Sequence, residues 1–178
     1  PRKFQVPIAE DSVHQGAAME VRPLNWGKLE DVCISGKGNA LVVCLDRVTD
    51  PHNAGAVLRS AEVFGARAVI APRHHSAPET GALAKTASGA LERQPYLRVT
   101  NLSDAMNTLR EMGYVLIGLD GEGSVTLSQA MTDAGTRAVA VQRARHQLLA
   151  GSRLTGDQHC RVRLREPPDG AEHLLHGG

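Results

Sequence analysis

Residues 40–48, ALVVCLDRV, are apolar almost without interruption rather than at alternate positions. A strand of that composition is hidden on both faces, so it needs cover above and below, which is the condition of a strand in a parallel sheet. The next segment turns on Asp50-Pro51 and then carries Val57, Leu58, Ala61 and Phe64 at helical spacing, an inward face closed by Gly65. The alternation recurs with RAVIAP as strand, ETGALAKTASGALE as a small-residue helix, SDAMNTLREMG as a helix capped by Ser103 and closed by Gly113, and YVLIGLDG and TRAVAV as further strands. Strands separated by helices at this spacing predict an α/β fold, a parallel sheet with helices on both faces and right-handed crossovers.

The chain has three parts. Residues 1–39 are broken by Pro1, Pro7, Pro23, Gly16, Gly27, Gly36 and Gly38 and read as a linker with the remnant of another domain. Residues 40–141 carry the strand–helix pattern. Residues 142–178 hold half of the histidines and many arginines, with no sustained strand or helix period.

A chain of 178 residues that is 42% hydrophobic can bury one sizeable core. Its net charge of +1 gives no global basic field, so a nucleic-acid partner would be held by a local patch. Cys33, Cys44 and Cys160 are odd in number and lack CxxC spacing, which argues against a disulfide framework or a structural zinc site and fits a reducing cytoplasm. No apolar run approaches the length of a membrane span, and PRKFQVPIAEDS lacks the apolar core of a signal peptide. The expectation is a cytoplasmic protein with no membrane partner.

Ligands of open parallel sheets collect outside the carboxyl ends of the strands, which is where LDRVTDPHN stands. Asp50-Pro51 fixes the turn, and either His52 or Asn53 can cap the helix after it. Asn53 is then a cap or a ligand-facing amide. Arg59, at the edge of the apolar face, is a solvated charge or a fork for phosphate or carboxylate, and Glu62 at i+3 can orient it. GLDGEG, residues 118–123, is a plain turn or a glycine-rich ligand loop. Arg73, His74 and His75 make a basic loop, a phosphate contact or a solvated surface, while Lys85, Ser88 and Gly89 in KTASGA suit close helix packing. A metal site is not expected, because adjacent His74 and His75 side chains diverge and no third ligand is evident.

The stretch LDRVTDPHNAGAVLRSAEVFGARAVI resembles the first signature motif of the SpoU/TrmH family of RNA ribose 2′-O-methyltransferases, in the knotted SPOUT superfamily. The resemblance continues through AKTASGALERQPYLRVTNLSDAMNTLREMGYVLIGLDGEG, where it is to the 23S rRNA guanosine branch and its mitochondrial relatives, and begins near VHQGAAMEVRPL, similar to the end of that branch's small substrate-binding domain. It covers roughly residues 13–141. The resemblance implies a homodimer that uses S-adenosyl-L-methionine, without a metal, to methylate RNA, rRNA rather than tRNA. It implies Asn53 and Arg59 at the active site with Glu62 behind them, Gly118 and Leu119 in the wall of the cofactor pocket, and Arg73, His74 and Lys85 toward the RNA.

Two further motifs of the family, a GxEGxG-type loop and SLNVSVA, are not found after Val141. Shifted by one nucleotide in GC-rich codons, QRARHQLLAGSR reads as Ser-Glu-Arg-Gly-Thr-Ser-Ser-Trp-Leu-Val-Arg, similar to the first of them, which suggests a frameshift near Val141. The expectation from the chain as it stands is an incomplete knot and weak S-adenosylmethionine binding. A non-catalytic RNA-binding remnant is the alternative to an enzyme.

Overall fold

The computed structural model describes residues 16–22, 24–34, 40–119, 125–134, 137–143 and 161–164. Seven strands form one sheet in the order β3-β2-β1-β6-β4-β7-β5: β1 (Ala40–Asp46), β2 (Ala68–Pro72), β3 (Tyr96–Val99), β4 (Val115–Leu119), β5 (Val125–Thr126), β6 (Arg137–Arg143) and β7 (Arg161–Leu164). The first five in that order are mutually parallel, and β7 runs antiparallel between β4 and β5. The expected α/β class with a parallel sheet is what the chain adopts. The helices are α1 (Leu29–Val32), α2 (Pro51–Val63), α3 (Gly81–Ala87), α4 (Leu102–Glu111) and α5 (Leu127–Ala134).

The continuous apolar runs are explained by the two layers they serve. Leu41, Val43, Leu45, Val69 and Ala71 join the layer containing Ala54, Leu58 and Ala61 of α2 and Leu83 and Ala87 of α3. Their sequence neighbours Ala40, Val42, Cys44, Ala68 and Ile70 join the opposite layer, with Leu102, Ala105 and Leu109 of α4. Trp26, Leu29, Val32 and Cys33 pack into this second layer too, so the segment just ahead of β1 shares the core. Among the described residues no helix is long and apolar enough to cross a membrane.

The helix ends differ from expectation in detail. Asp50, not His52 or Asn53, caps α2: its carboxylate accepts the His52 N–H at 3.0 Å, with Pro51 at the first helical position. Asn101, not Ser103, caps α4 by accepting the Ser103 N–H at 2.9 Å. Phe64 is 73% exposed rather than inward, because α2 ends at Val63 and the chain leaves through a Gly65 with φ of 66°. The helix expected over 79–92 stops at Ala87, where Ser88 and Gly89 are both left-handed, and resumes as a single 3-10 turn, Ala90–Glu92. Helices α1 and α5 and strands β3, β5 and β7 were not foreseen; β7 lies in the tail that shows no sustained period.

The α2–α3 contact is very close. A Cβ on Gly55 would stand 2.5 Å from Thr86 Oγ1 and 2.8 Å from the Thr86 carbonyl carbon. Gly55→Ala is therefore expected to lower the unfolding free energy by about 1–3 kcal/mol through overpacking, as read from denaturant midpoints; an unchanged midpoint would contradict this packing.

Burial pushes the Cys33 thiol up to about 11 and the Cys44 thiol up to about 12. Unfolded thiols ionise near 9.0, so their contribution to stability is complete below that pH and is lost as pH rises toward 11. In a Cys160→Ser background both thiols should resist alkylation at about pH 8 until the protein unfolds. Stoichiometric labelling of the native protein would show that the layer is open.

Candidate functional site

Because β2, β1, β6 and β4 are parallel neighbours, their carboxyl ends open on one side of the sheet. Beyond Asp46, Arg47 takes a left-handed backbone with φ of 57°, a conformation that disfavours a side chain and is found here directly ahead of the Asp50-Pro51 turn. The loop is tied to its neighbour: the Ala77 N–H donates to the Val48 carbonyl at 2.9 Å, joining the segment after β1 to the segment after β2.

Asn53 lies half-buried in the first turn of α2, and its amide makes no hydrogen bond to any described residue. Freed from capping by Asp50, that amide can serve a ligand. Arg59 is exposed, and its Nη1 donates to the Thr86 carbonyl at 2.5 Å. Six residues along a helix turn a side chain by about 240°, so Asn53 and Arg59 do not share one face of α2. Thr86 links the two ends of this stretch, since its hydroxyl donates to the Pro51 carbonyl at 2.8 Å while its own carbonyl receives Arg59. The bond from Thr86 was not foreseen; its only sequence signal is a hydroxyl among the small residues of KTASGA.

Glu62 does not orient Arg59. Its carboxylate pairs with Arg93, Oε1 with Nε and Oε2 with Nη2 at 3.2 Å. That hydrogen-bonded guanidinium holds the Glu62 carboxyl below the usual carboxylate range. The i+3 spacing brought Glu62 near Arg59 along the helix, but Arg93 in the turn after α3 offers a two-pronged fork, the stronger geometry.

Gly118 and Leu119 stand half-buried at the carboxyl end of β4. Through β6 they lie level with Cys44 and Leu45, one strand removed from β1, hence about 10 Å across the sheet. Strand β4 is paired on both edges, by β6 and by β7. What these two residues offer a ligand is thus a bare glycine backbone and an isobutyl group, an apolar wall rather than a set of donors. Arg73, His74 and His75 sit exposed in the loop after β2, on the other flank of the β1 loop. Lys85 is exposed on α3, next to the Thr86 that receives Arg59. Residues 120–124, 144–160 and 165–178, which bear on the glycine loop, the frameshift and the knot, lie outside the described residues.

The model of the SpoU rRNA methylase family matches residues 40–143, the span that holds β1 through β6. The chain belongs to the SpoU rRNA methylase family. It is 42% identical over 132 residues to the 23S rRNA (guanosine-2′-O-)-methyltransferase RlmB of Vibrio vulnificus, covering 72% of this chain and 53% of that one. It is 35% identical over 185 residues to the RlmB of Pseudomonas aeruginosa, covering 97% and 73%. Against an uncharacterized tRNA/rRNA methyltransferase of Mycolicibacterium vanbaalenii it is 37% identical over 132 residues and covers 42% of that protein. The chain thus spans about half the length of several curated relatives it matches.

Solved structures agree on the fold of this SpoU chain. An AdoMet-bound rRNA methyltransferase from Sinorhizobium meliloti superposes with a TM-score of 0.58 at 22% identity, over 85% of this chain and 56% of that one. The SpoU methyltransferase AviRb from Streptomyces viridochromogenes, in complex with AdoMet, gives 0.52 at 24% identity, over 81% and 54%.

Proposed function

We propose that this chain transfers a methyl group from S-adenosyl-L-methionine to a ribose 2′-hydroxyl of RNA, with large-subunit rRNA preferred over tRNA. The observation that carries the reading is the coincidence of the family match, residues 40–143, with the parallel strands whose carboxyl ends hold Gly118 and Leu119 and lead into α2 with Asn53 and Arg59. The 42% identity to an enzyme named for guanosine 2′-O-methylation of 23S rRNA supports the choice of substrate.

The residues present fit the cofactor in one respect: half-buried Gly118 and Leu119 form a wall able to take a flat apolar ring. The bound cofactor supplies an electrophilic methyl carbon on a sulfonium. A guanidinium has donors and no acceptor, so Arg59 serves as a clamp for phosphate and as a stabiliser of developing alkoxide charge rather than as a base. Only one of its five N–H donors has a described partner, the Thr86 carbonyl, so the guanidinium is anchored yet still has a fork to offer. Asn53, with its unpaired amide, orients the ribose. Arg73, His74 and Lys85 contribute contacts to the RNA backbone. Glu62, engaged with Arg93, supports the packing of α2 against the turn after α3 rather than touching substrate. The setting we infer for this activity is a cytoplasmic homodimer; the 79% and 73% exposure of Val63 and Phe64 supports a second copy by giving it an apolar patch to cover.

With the family's two later motifs absent, cofactor affinity should be weaker than micromolar, so transfer is best followed at high cofactor concentration. Under those conditions Arg59→Ala should reduce transfer of labelled methyl to unmodified rRNA by at least about a hundredfold, the loss typical of one charge-stabilising donor. Retained transfer in that variant would remove Arg59 from its role, and micromolar cofactor binding by calorimetry would contradict the weakened pocket.

A further inference from the structure

We infer that Arg98 is a positioning residue that holds the 73–77 loop in place for contact with an RNA phosphate backbone. This rests on the RNA reading above and deepens it. Arg98 lies on β3, the outermost parallel strand, where it interrupts an otherwise apolar run, and its side chain is half-buried. No acidic side chain among the described residues pairs with it. Instead its guanidinium is spread over three backbone carbonyls of the neighbouring loop: Nε donates to Pro72 at 3.3 Å, Nη1 to Ala77 at 2.9 Å and Nη2 to Arg73 at 2.7 Å. The same guanidinium lies over the Tyr96 ring, 5.5 Å from its centroid, and the Tyr96 hydroxyl donates to the Ala77 carbonyl at 3.1 Å.

The loop so held is short and unusual. His75 has a left-handed backbone, φ of 59°, and Ser76 is buried with its hydroxyl donating to the Pro72 carbonyl. A β-carbon in that backbone region costs energy and persists only where the surroundings dictate it. The carbonyls of Pro72, Arg73 and Ala77 converge on one guanidinium, which supplies that dictation. The outcome is a loop whose inner face is carbonyl oxygen satisfied by Arg98 and whose outer face presents exposed Arg73, His74 and His75. Arg73 itself is steered from two sides: its backbone N–H donates to the Val99 carbonyl at 2.7 Å and its Nε to the Arg98 carbonyl at 3.2 Å. Its terminal nitrogens remain for a ligand. Since the Ala77 N–H also holds the Val48 carbonyl, the loop is registered against the segment that leads to Asn53. A backbone phosphate bound at Arg73 would therefore sit at a fixed offset from the candidate ribose site, where preorganisation improves affinity by lowering ordering cost.

A lysine at 98 keeps the charge but cannot fork to three carbonyls. The test is binding of the full chain to an unmodified large-subunit rRNA transcript, titrated over salt concentration, for wild type, Arg98→Lys, Arg73→Ala/His74→Ala, and the triple variant. Arg98→Lys should weaken binding about tenfold and lower the salt slope by about one, as the loss of one phosphate contact would. In the Arg73→Ala/His74→Ala background it should change nothing further, because the contacts it positions are already gone. If Arg98→Lys does not fold, Ser76→Ala loosens the same loop from its other anchor and should show the same dependence on background. Equal losses in both backgrounds, or wild-type affinity for Arg98→Lys and Ser76→Ala, would overturn the inference. Absence of salt-dependent binding by the wild type would overturn both the inference and the RNA reading beneath it, whereas binding without the background dependence would overturn the inference alone.

Discussion

The covering of the parallel sheet on both faces is the constraint from which the site follows. Strand β1 sends Leu41, Val43 and Leu45 to one layer and Ala40, Val42 and Cys44 to the other, so both of its faces are covered. Polar chemistry can then be placed only at the strand ends, where the parallel arrangement gathers the loops after β2 and β1 and the end of β4 on a single rim. Asn53, Arg73, His74, Gly118 and Leu119 all lie on that rim because the sheet leaves them nowhere else.

Loops on a rim are useful only if they hold still relative to one another. Here backbone groups do that work more than ion pairs. Val48 and Ala77 join the β1 and β2 loops, Thr86 joins the first turn of α2 to α3, and Gly55 permits the approach that makes the Thr86 bond possible. The single described ion pair, Glu62 with Arg93, is on the exposed side of this contact, where such pairs contribute little to stability. The geometry of the site is thus set by small residues and by hydrogen bonds to backbone groups, including those that the Arg59 and Arg98 guanidinium groups donate to carbonyls rather than to carboxylates.

Much of this was legible in the sequence because unbroken apolar runs and glycine stops are local signals. Strands β1, β2, β4 and β6 and helices α2 and α4 follow from apolar runs and helical spacing, while the family follows from the resemblance of the stretch from LDRVTDPHN onward to a known motif. Strand β3 was not legible, since Arg98 in its four residues reads as a break until its three carbonyl partners are seen. The partner of Glu62 was misread because Arg93 is distant in sequence and near only after α3 turns back on α2. Caps were misplaced by a few residues for a simpler reason: Asp50 and Asn101 precede competing polar residues that could have done the same job. The tail strand β7 alternates over only four residues, RVRL, too short a run to stand out in an arginine-rich tail, and it finds its place by pairing between β4 and β5.

Membership of the SpoU family rests on the sequence match and on the fold, while the reaction of this chain rests on what its rim can hold. The most direct test is mass spectrometry of nucleosides released from unmodified large-subunit rRNA after incubation with the full chain and isotopically labelled S-adenosylmethionine. The account predicts label in a 2′-O-methylated nucleoside. Label confined to a methylated base, or no label at any cofactor concentration, would contradict it.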